Sequence, residues 1–368
     1  MGGNVTVRGI DAEKIQFKNI PIKQFRTEFL DLFKTLNNLY YRKFKEYIWK
    51  DISSLTSGIA FNGSTQFIMN PDLDPDEIMK YKLQAGDVDI TVPEECGKNL
   101  WLLLKPLEDK QIANFTYIGN NRNNEHAIGD QINAIFQLTT ESGVTNCQVD
   151  FEFLPYENGK PTEWASFSHG SSFEDAKAGV KSAFHKLLLR AVVGSMSENP
   201  NIVIATKAST YDKIKLKKDD GTIPRMQQFS VTRGLGTGLE PMLDPDGKPV
   251  FVNGKQVYKE AADHGYETNL QSIFDAVFKK GTVKQMYSFV GVCELLRTQP
   301  KTVIKSALNR FIQILFGKGA QPIEATSKEL DCEVKFAAYN KFVEIVGVKY
   351  PDIEDVIENY YSTMTRFK

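Results

Sequence analysis

The sequence predicts an α+β first half followed by a mostly helical second half. Three observations lead there. Helical and strand-like apolar spacings are interleaved through the first half, the clearest hairpin of the chain falls at 131–154, and from about residue 269 onward the spacing is helical. The boundary is placed near residue 200, giving a domain of 1–200 and a second of 201–368.

Residues 22–50 carry Phe25, Phe29, Leu32, Phe33, Leu36, Leu39 and Tyr40 at helical intervals, so one long amphipathic helix, or two, is expected there. SSLTSGIAFNGS then reads as a short strand ending in a Gly-Ser turn. In NPDLDPDEIMKYKLQ, Asp74 is a helix N-cap, Pro75 the first helical residue and Glu77 the reciprocal partner of a capping box. The D-x-D-x-D spacing in this segment lacks the Gly and Glu that an EF-hand loop requires, so a calcium loop is set aside. GDVDITVP reads as a strand stopped by Pro93.

QINAIFQL and NCQVDFEFL form the hairpin strands, joined by TTESGVT. One helix is expected over about 172–193, capped by Ser171 or Ser172 with Glu174 or Asp175 three residues on. Residues 201–260 lean to β structure, with turns at Asp246-Gly247 and Asn253-Gly254. The helical remainder contains QSIFDAVF, YSFVGVCELL, VIKSALNRFIQILF, KFAAYNKFVEIV and DIEDVIENYY.

Composition bounds the function. A chain 41% apolar and 25% charged builds a sizeable core. A net charge of −1 provides no global attraction for nucleic acid or an anionic membrane, so any basic surface is local. The four cysteines are scattered and form no C-x-x-C, which argues against a clustered zinc site or a disulfide framework. The apolar runs are too short to span a bilayer, and no membrane partner is expected. MGGNVT touches the myristoylation pattern without a second membrane signal. A cytoplasmic location is expected.

The chemistry-bearing residues are acids. Asp87 and Asp89 are at i and i+2 on an expected strand, so both carboxylates leave one face. Asp150 sits inside the apolar strand QVDFEFL, with Glu152 on the same face. A carboxylate in an apolar strand is costly unless paired or bound to metal. Gathered carboxylates repel, and divalent cations remove that repulsion; magnesium suits carboxylates combined with substrate phosphates.

FNGS (61–64), DVDI (87–90) and VDF (149–151), in that order, resemble the DNA polymerase β superfamily of nucleotidyltransferases, whose pattern is an apolar residue before Gly-Gly or Gly-Ser, an acid pair at i and i+2, and a later acid between apolar residues. The arrangement also resembles nucleotidyltransferase-fold proteins of large tailed bacteriophages, which would place it in the host cytoplasm. This sequence departs from the pattern at Asn62, where an apolar residue is usual, and in the long gap from Ser64 to Asp87. The motifs span roughly 58–190, and nothing after 200 is covered.

The resemblance implies a polymerase β-like mixed sheet with flanking helices and a metal-dependent, template-independent transfer of a nucleoside monophosphate. The donor would be a nucleoside triphosphate such as ATP, the acceptor a hydroxyl, and pyrophosphate the leaving group. Gly63 and Ser64 would hold the β- and γ-phosphates. Asp87 and Asp89 would bind two Mg2+ ions, for which Mn2+ could substitute. Asp150 would bind the metal that activates the acceptor and serve as general base. An RNA 3′ end such as tRNA is the first choice of acceptor; the alternatives are a protein hydroxyl, as in toxin-like members, and a catalytically silent nucleotide-binding or structural module.

Further candidates are weighed on the residues. Lys177, Lys181 and His185 would make one polar stripe on a continuous helix, with Lys181 the cation for the triphosphate, and the HGSS loop (169–172) would be a second anion site. A solvated face is the bland alternative. RGLGTGLEP (233–241) reads as a loop rather than a nucleotide site. KIKLKKDD (213–220) reads as an exposed strand able to touch nucleic acid. In GNNRNNEHAIGD (119–130), Arg122 and His126 could reach a substrate or serve the loop alone.

Overall fold

A computed structural model describes residues 5–124, 129–141, 143–196, 228–230, 234–236, 239–241, 243–252, 255–256, 258–260, 265–278, 280–323 and 327–364. The chain is a mixed α+β protein that divides into two compact units, Met1–Lys177 and Ala178–Lys368. The boundary expected near residue 200 lies outside the described residues. Among the described residues no helix is long and apolar enough to cross a membrane.

The first unit begins its core with helix α1 (Ile22–Phe44). The expected helical run over 22–50 ends early because Lys45 adopts a left-handed conformation, φ 64°, and its N–H closes the last turn on Tyr41 O at 2.8 Å. Helix α2 (Gly63–Met69) and helix α3 (Pro75–Tyr81) follow. Asp74 caps α3 by accepting from Asp76 N–H at 3.0 Å, with Pro75 at its first position. Among the described residues Glu77 does not return the reciprocal bond of a capping box.

Strand β1 (Val88–Pro93) leads to helix α4 (Gly97–Leu104), then β2 (Lys110–Ile112), β3 (Phe115–Asn120), β4 (Gln131–Thr140) and β5 (Gly143–Leu154). They form one sheet in the order β1-β5-β4-β3-β2. Only the β1–β5 pair is parallel; β4 and β5 form the expected hairpin, paired as far as Thr140 and Gly143. Strand alternation turns Val88, Ile90, Val92, Val149 and Phe151 to one face and Asp89, Asp150 and Glu152 to the other. The apolar face packs on α1, where Phe29 meets Phe115 at 4.9 Å and Phe33 meets Phe61 at 5.6 Å and Phe151 at 6.3 Å between ring centres.

Two expectations change here. SSLTSGIAFNGS is not a strand: Ser53–Thr56 is a helical turn, and only Phe61 bridges Ile90 before Gly63 opens α2. The single helix expected over 172–193 is two, α6 (Phe173–Lys177), preceded by α5 (Glu163–His169), and α7 (Ala183–Met196) in the second unit. Gly179, at φ 72°, stands in the break and takes a conformation that stops a helix. The stripe of Lys177, Lys181 and His185 therefore does not exist as one helical face.

The second unit continues with helices α8 (Leu270–Val277), α9 (Phe289–Arg297), α10 (Lys301–Phe316), α11 (Lys328–Val346) and α12 (Ile353–Thr363). A fully buried ion pair, Lys335 Nζ to Asp331 Oδ2 at 3.0 Å, ties α11 to α12 through the hydroxyl of Tyr360, which donates to Asp331 Oδ2 at 2.8 Å. RGLGTGLEP contributes short strands at Gly234–Gly236 and Leu239–Pro241 rather than a plain loop. Asp244 closes the Asp246-Gly247 turn by accepting from the N–H groups of Asp246 and Lys248. Asn253-Gly254 and KIKLKKDD lie outside the described residues.

Candidate metal centre

The parallel pairing of β1 with β5 sets Asp89 directly beside Asp150. Asp87 precedes β1 by one residue. One ligand oxygen from each of Asp87, Asp89 and Asp150 lies within 4.8 Å of the others, close enough for all three to hold a metal ion. Asp89 on β1, Asp87 just before it and Asp150 on the neighbouring strand converge because alternate residues leave the same face.

The backbone of 60–62 runs beside β1 as a short edge. Asn62 N–H donates to Asp89 O at 3.1 Å, and Thr91 N–H donates to Ala60 O at 2.8 Å. Gly63 then turns at φ 50°, and a Cβ there would overlap Asp89 Oδ2. Glycine is required on both counts. Ser64 follows, half-buried, in the first turn of α2. Thr65 clamps the acid strand: its Oγ1 accepts from Asp89 N–H at 3.2 Å and donates to Asp87 O at 3.4 Å.

Asp150 is held by two amides. Asn133 Nδ2 donates to Oδ1 at 2.7 Å, and Gln148 Nε2 donates to Oδ1 at 3.0 Å and Oδ2 at 3.1 Å. Both amides are themselves oriented. Gln148 Oε1 accepts from Val5 N–H at 2.9 Å, and Asn133 Oδ1 accepts from Asn121 Nδ2 at 2.6 Å. Glu152, the next acid on this face, accepts from Asn62 Nδ2 and faces His169 Nδ1 at 3.6 Å. The Asn62 departure from the motif thus has a partner. Gly63 bridges Gly170, and Ser171 N–H donates to Gln66 Oε1 at 3.1 Å, so part of the HGSS loop is stitched to α2.

The electrostatics follow from this crowding. Burial, then the charges of Asp87, Glu152 and Asp150, push the Asp89 carboxyl well above its ordinary range. Burial raises Asp87 against the opposing charge of Lys82. Burial pushes Asp150 up to about 6, although the bonds from Asn133 and Gln148 pull the other way. Burial acts on Glu152 too, but the hydrogen bonds from His169 and Asn62 outweigh it and hold that carboxyl below its usual value. Three acids that resist ionisation at one point present only oxygen donors, a set that could hold a metal ion.

The structure thus brings Asp87, Asp89, Asp150 and Gly63 together, with Ser64 beside Gly63. Lys181 is exposed, belongs to the second unit and stands outside any helix. His185, also of the second unit, is buried, and burial lowers its imidazole to about 3, so it is a neutral core residue rather than a surface cation. Arg122 serves its loop, donating from Nε and Nη2 to Gln131 O at 2.9 and 2.7 Å. His126 lies outside the described residues. Sequence reasoning missed Thr65, Asn133, Gln148 and Lys82. Gln148 had a legible signal, since Gln148, Asp150 and Glu152 are three polar residues at alternate positions of an apolar strand.

Compared with known proteins, the chain gives no significant match to any family model, curated protein or solved structure.

Proposed function

We propose that the protein is a metal-dependent nucleotidyltransferase of the polymerase β type, moving a nucleoside monophosphate from a triphosphate to an acceptor hydroxyl at an RNA 3′ end. The observation that carries the reading is the convergence of Asp87, Asp89 and Asp150 oxygens within 4.8 Å, beside a glycine that leaves no room for a side chain. Motif resemblance and convergent geometry support the same residues independently.

In this reading Asp87, Asp89 and Asp150 hold the divalent cations. When bound, such cations neutralise phosphate charge and lower the proton affinity of the attacking hydroxyl. Gly63 lets the backbone come close to the triphosphate, and Ser64 Oγ donates to its β- or γ-phosphate oxygens. Asn133 and Gln148 fix the Asp150 carboxylate, which takes the proton of the acceptor hydroxyl. The acceptor oxygen forms a bond to the α-phosphorus as the bond to the bridging oxygen breaks, and pyrophosphate departs with that electron pair.

The test is label transfer. The full chain is incubated with each α-labelled NTP, Mg2+ or Mn2+, and bulk tRNA plus cell lysate, beside Asp87→Ala/Asp89→Ala. Label on RNA that disappears in the double variant is expected. Label on protein alone would replace the acceptor class, and no transfer with NTP still bound would reduce the site to a binding module.

A further inference from the structure

The chain has almost no net charge, yet 41–50, YRKFKEYIWK, holds four cations and one carboxylate. This segment ends α1 and turns back at Lys45. The turn lays Tyr47 on Tyr41, with ring centres 4.4 Å apart and planes 11° from parallel. Both rings remain exposed, at 42% for Tyr41 and 39% for Tyr47. Arg42, Lys45 and Lys50 are exposed and form no ion pair among the described residues. The lone carboxylate, Glu46, is drawn aside by Tyr40 OH at 3.3 Å and Asn99 Nδ2 at 3.4 Å.

The platform is anchored to the core. Ile48 and Trp49 beside it are buried. Trp49 exchanges two hydrogen bonds with Asn37, each 3.1 Å, and its Nε1 donates to Thr91 O at 2.9 Å. Thr91 is two residues beyond Asp89 on β1, about 7 Å along the strand. An exposed tyrosine alone needs no explanation. An exposed stacked pair in a segment whose Arg42, Lys45 and Lys50 form no ion pair among the described residues has the two elements that hold unpaired bases: π faces for stacking and positive charge for the backbone.

We propose that Tyr41 and Tyr47, with Arg42, Lys45 and Lys50, form a binding surface for single-stranded nucleic acid. A duplex keeps its base faces in its own stack and offers none to the tyrosines. A membrane surface is disfavoured because the apolar stripe of α1, from Phe25 to Tyr40, is already buried in the core. Only the link to an acceptor strand rests on the nucleotidyltransferase reading; the surface itself does not.

The experiment measures fluorescence anisotropy of a labelled 12-nucleotide single-stranded RNA with the full chain in EDTA and without NTP. Matched arms use single-stranded DNA, an abasic oligomer and anionic phosphatidylserine vesicles. Binding to RNA or DNA above the abasic oligomer is expected, with the RNA-to-DNA ratio naming the source. Tyr41→Leu/Tyr47→Leu should weaken it at least about fivefold, while Tyr41→Phe/Tyr47→Phe retains it. Arg42→Gln/Lys45→Gln should flatten the logarithmic salt slope by about 1.4. Asp89→Asn should bind as the parent does, so a failed metal site leaves this result standing. Equal binding of the abasic oligomer, binding of vesicles alone, or indifference to the leucine variants overturns the proposal.

Discussion

Gly63 shows how one atom decides the site. Its φ of 50° and the overlap of any Cβ with Asp89 Oδ2 make alanine doubly unsuitable. The left-handed conformation alone costs a side-chain-bearing residue about 1–2 kcal/mol. Gly63→Ala is therefore expected to lower urea-denaturation stability by at least that amount. It should also displace Asp89 from Asp87 and Asp150, so Mn2+ binding followed by calorimetry should weaken at least tenfold. Unchanged Mn2+ affinity in a folded Gly63→Ala protein would show that Asp89 is not a ligand. Asn62 carries a matching lesson: in the sequence it is an irregular residue before Gly-Ser, and in the structure its amide meets Glu152, far away in the chain.

At the scale of elements, the carboxylates were legible because strand alternation is local arithmetic: Asp87 and Asp89 share a face whatever else the chain does. That β5 lies parallel beside β1, with Asp150 against Asp89, was not legible from alternation, and the resemblance implied only that the three acids share a site. The start of α2 was not legible, since seven residues after Phe61 hold too few apolar repeats to separate helix from strand. Nor was the break at Gly179, because Ala176 before it and Val180 and Phe184 after it still keep helical spacing. The support of α2 is equally non-local. Arg26 on α1 donates to the carbonyls of Ile68, Asn70 and Leu73 at 2.6, 2.7 and 2.9 Å, fixing the C-terminal end of the helix whose first turn faces Asp89. Arg26→Ala leaves those carbonyls without their charged donor and is expected to cost about 2–4 kcal/mol, read from the urea midpoint at unchanged m-value. A loss below about 0.5 kcal/mol would mean that water replaces the guanidinium.

For the whole molecule, the acid cluster sets how stability depends on pH. A carboxyl whose proton affinity is raised by folding stabilises the fold fully only below its unfolded value, and that contribution is lost as pH climbs through the folded value. For Asp150 the window runs from the ordinary 3.8 to about 6, worth roughly 3 kcal/mol, and Asp89 acts in the same direction. Glu152 has the opposite sign, its contribution present above its unfolded value and lost as pH falls. In the metal-free protein Asp150 thus loses stabilisation between about pH 4 and 6 and carries that cost above it, and Asp89, raised by burial and its acidic neighbours, adds a cost of the same sign. A divalent ion that binds only the folded state restores the loss by mass action, and protons compete with it below about pH 6. Thermal unfolding in Mg2+ and in EDTA across pH 5 to 8 should show a metal-dependent rise in Tm that grows with pH. Asp89→Asn removes the repulsion from Asp87, Asp150 and Glu152 at its source. Its EDTA midpoint at pH 7.5 should exceed that of the parent, and its response to Mg2+ should vanish. A parent whose EDTA midpoint is higher than that of Asp89→Asn would reverse the sign, and would mean that Asp89 is stabilised by a partner other than a cation.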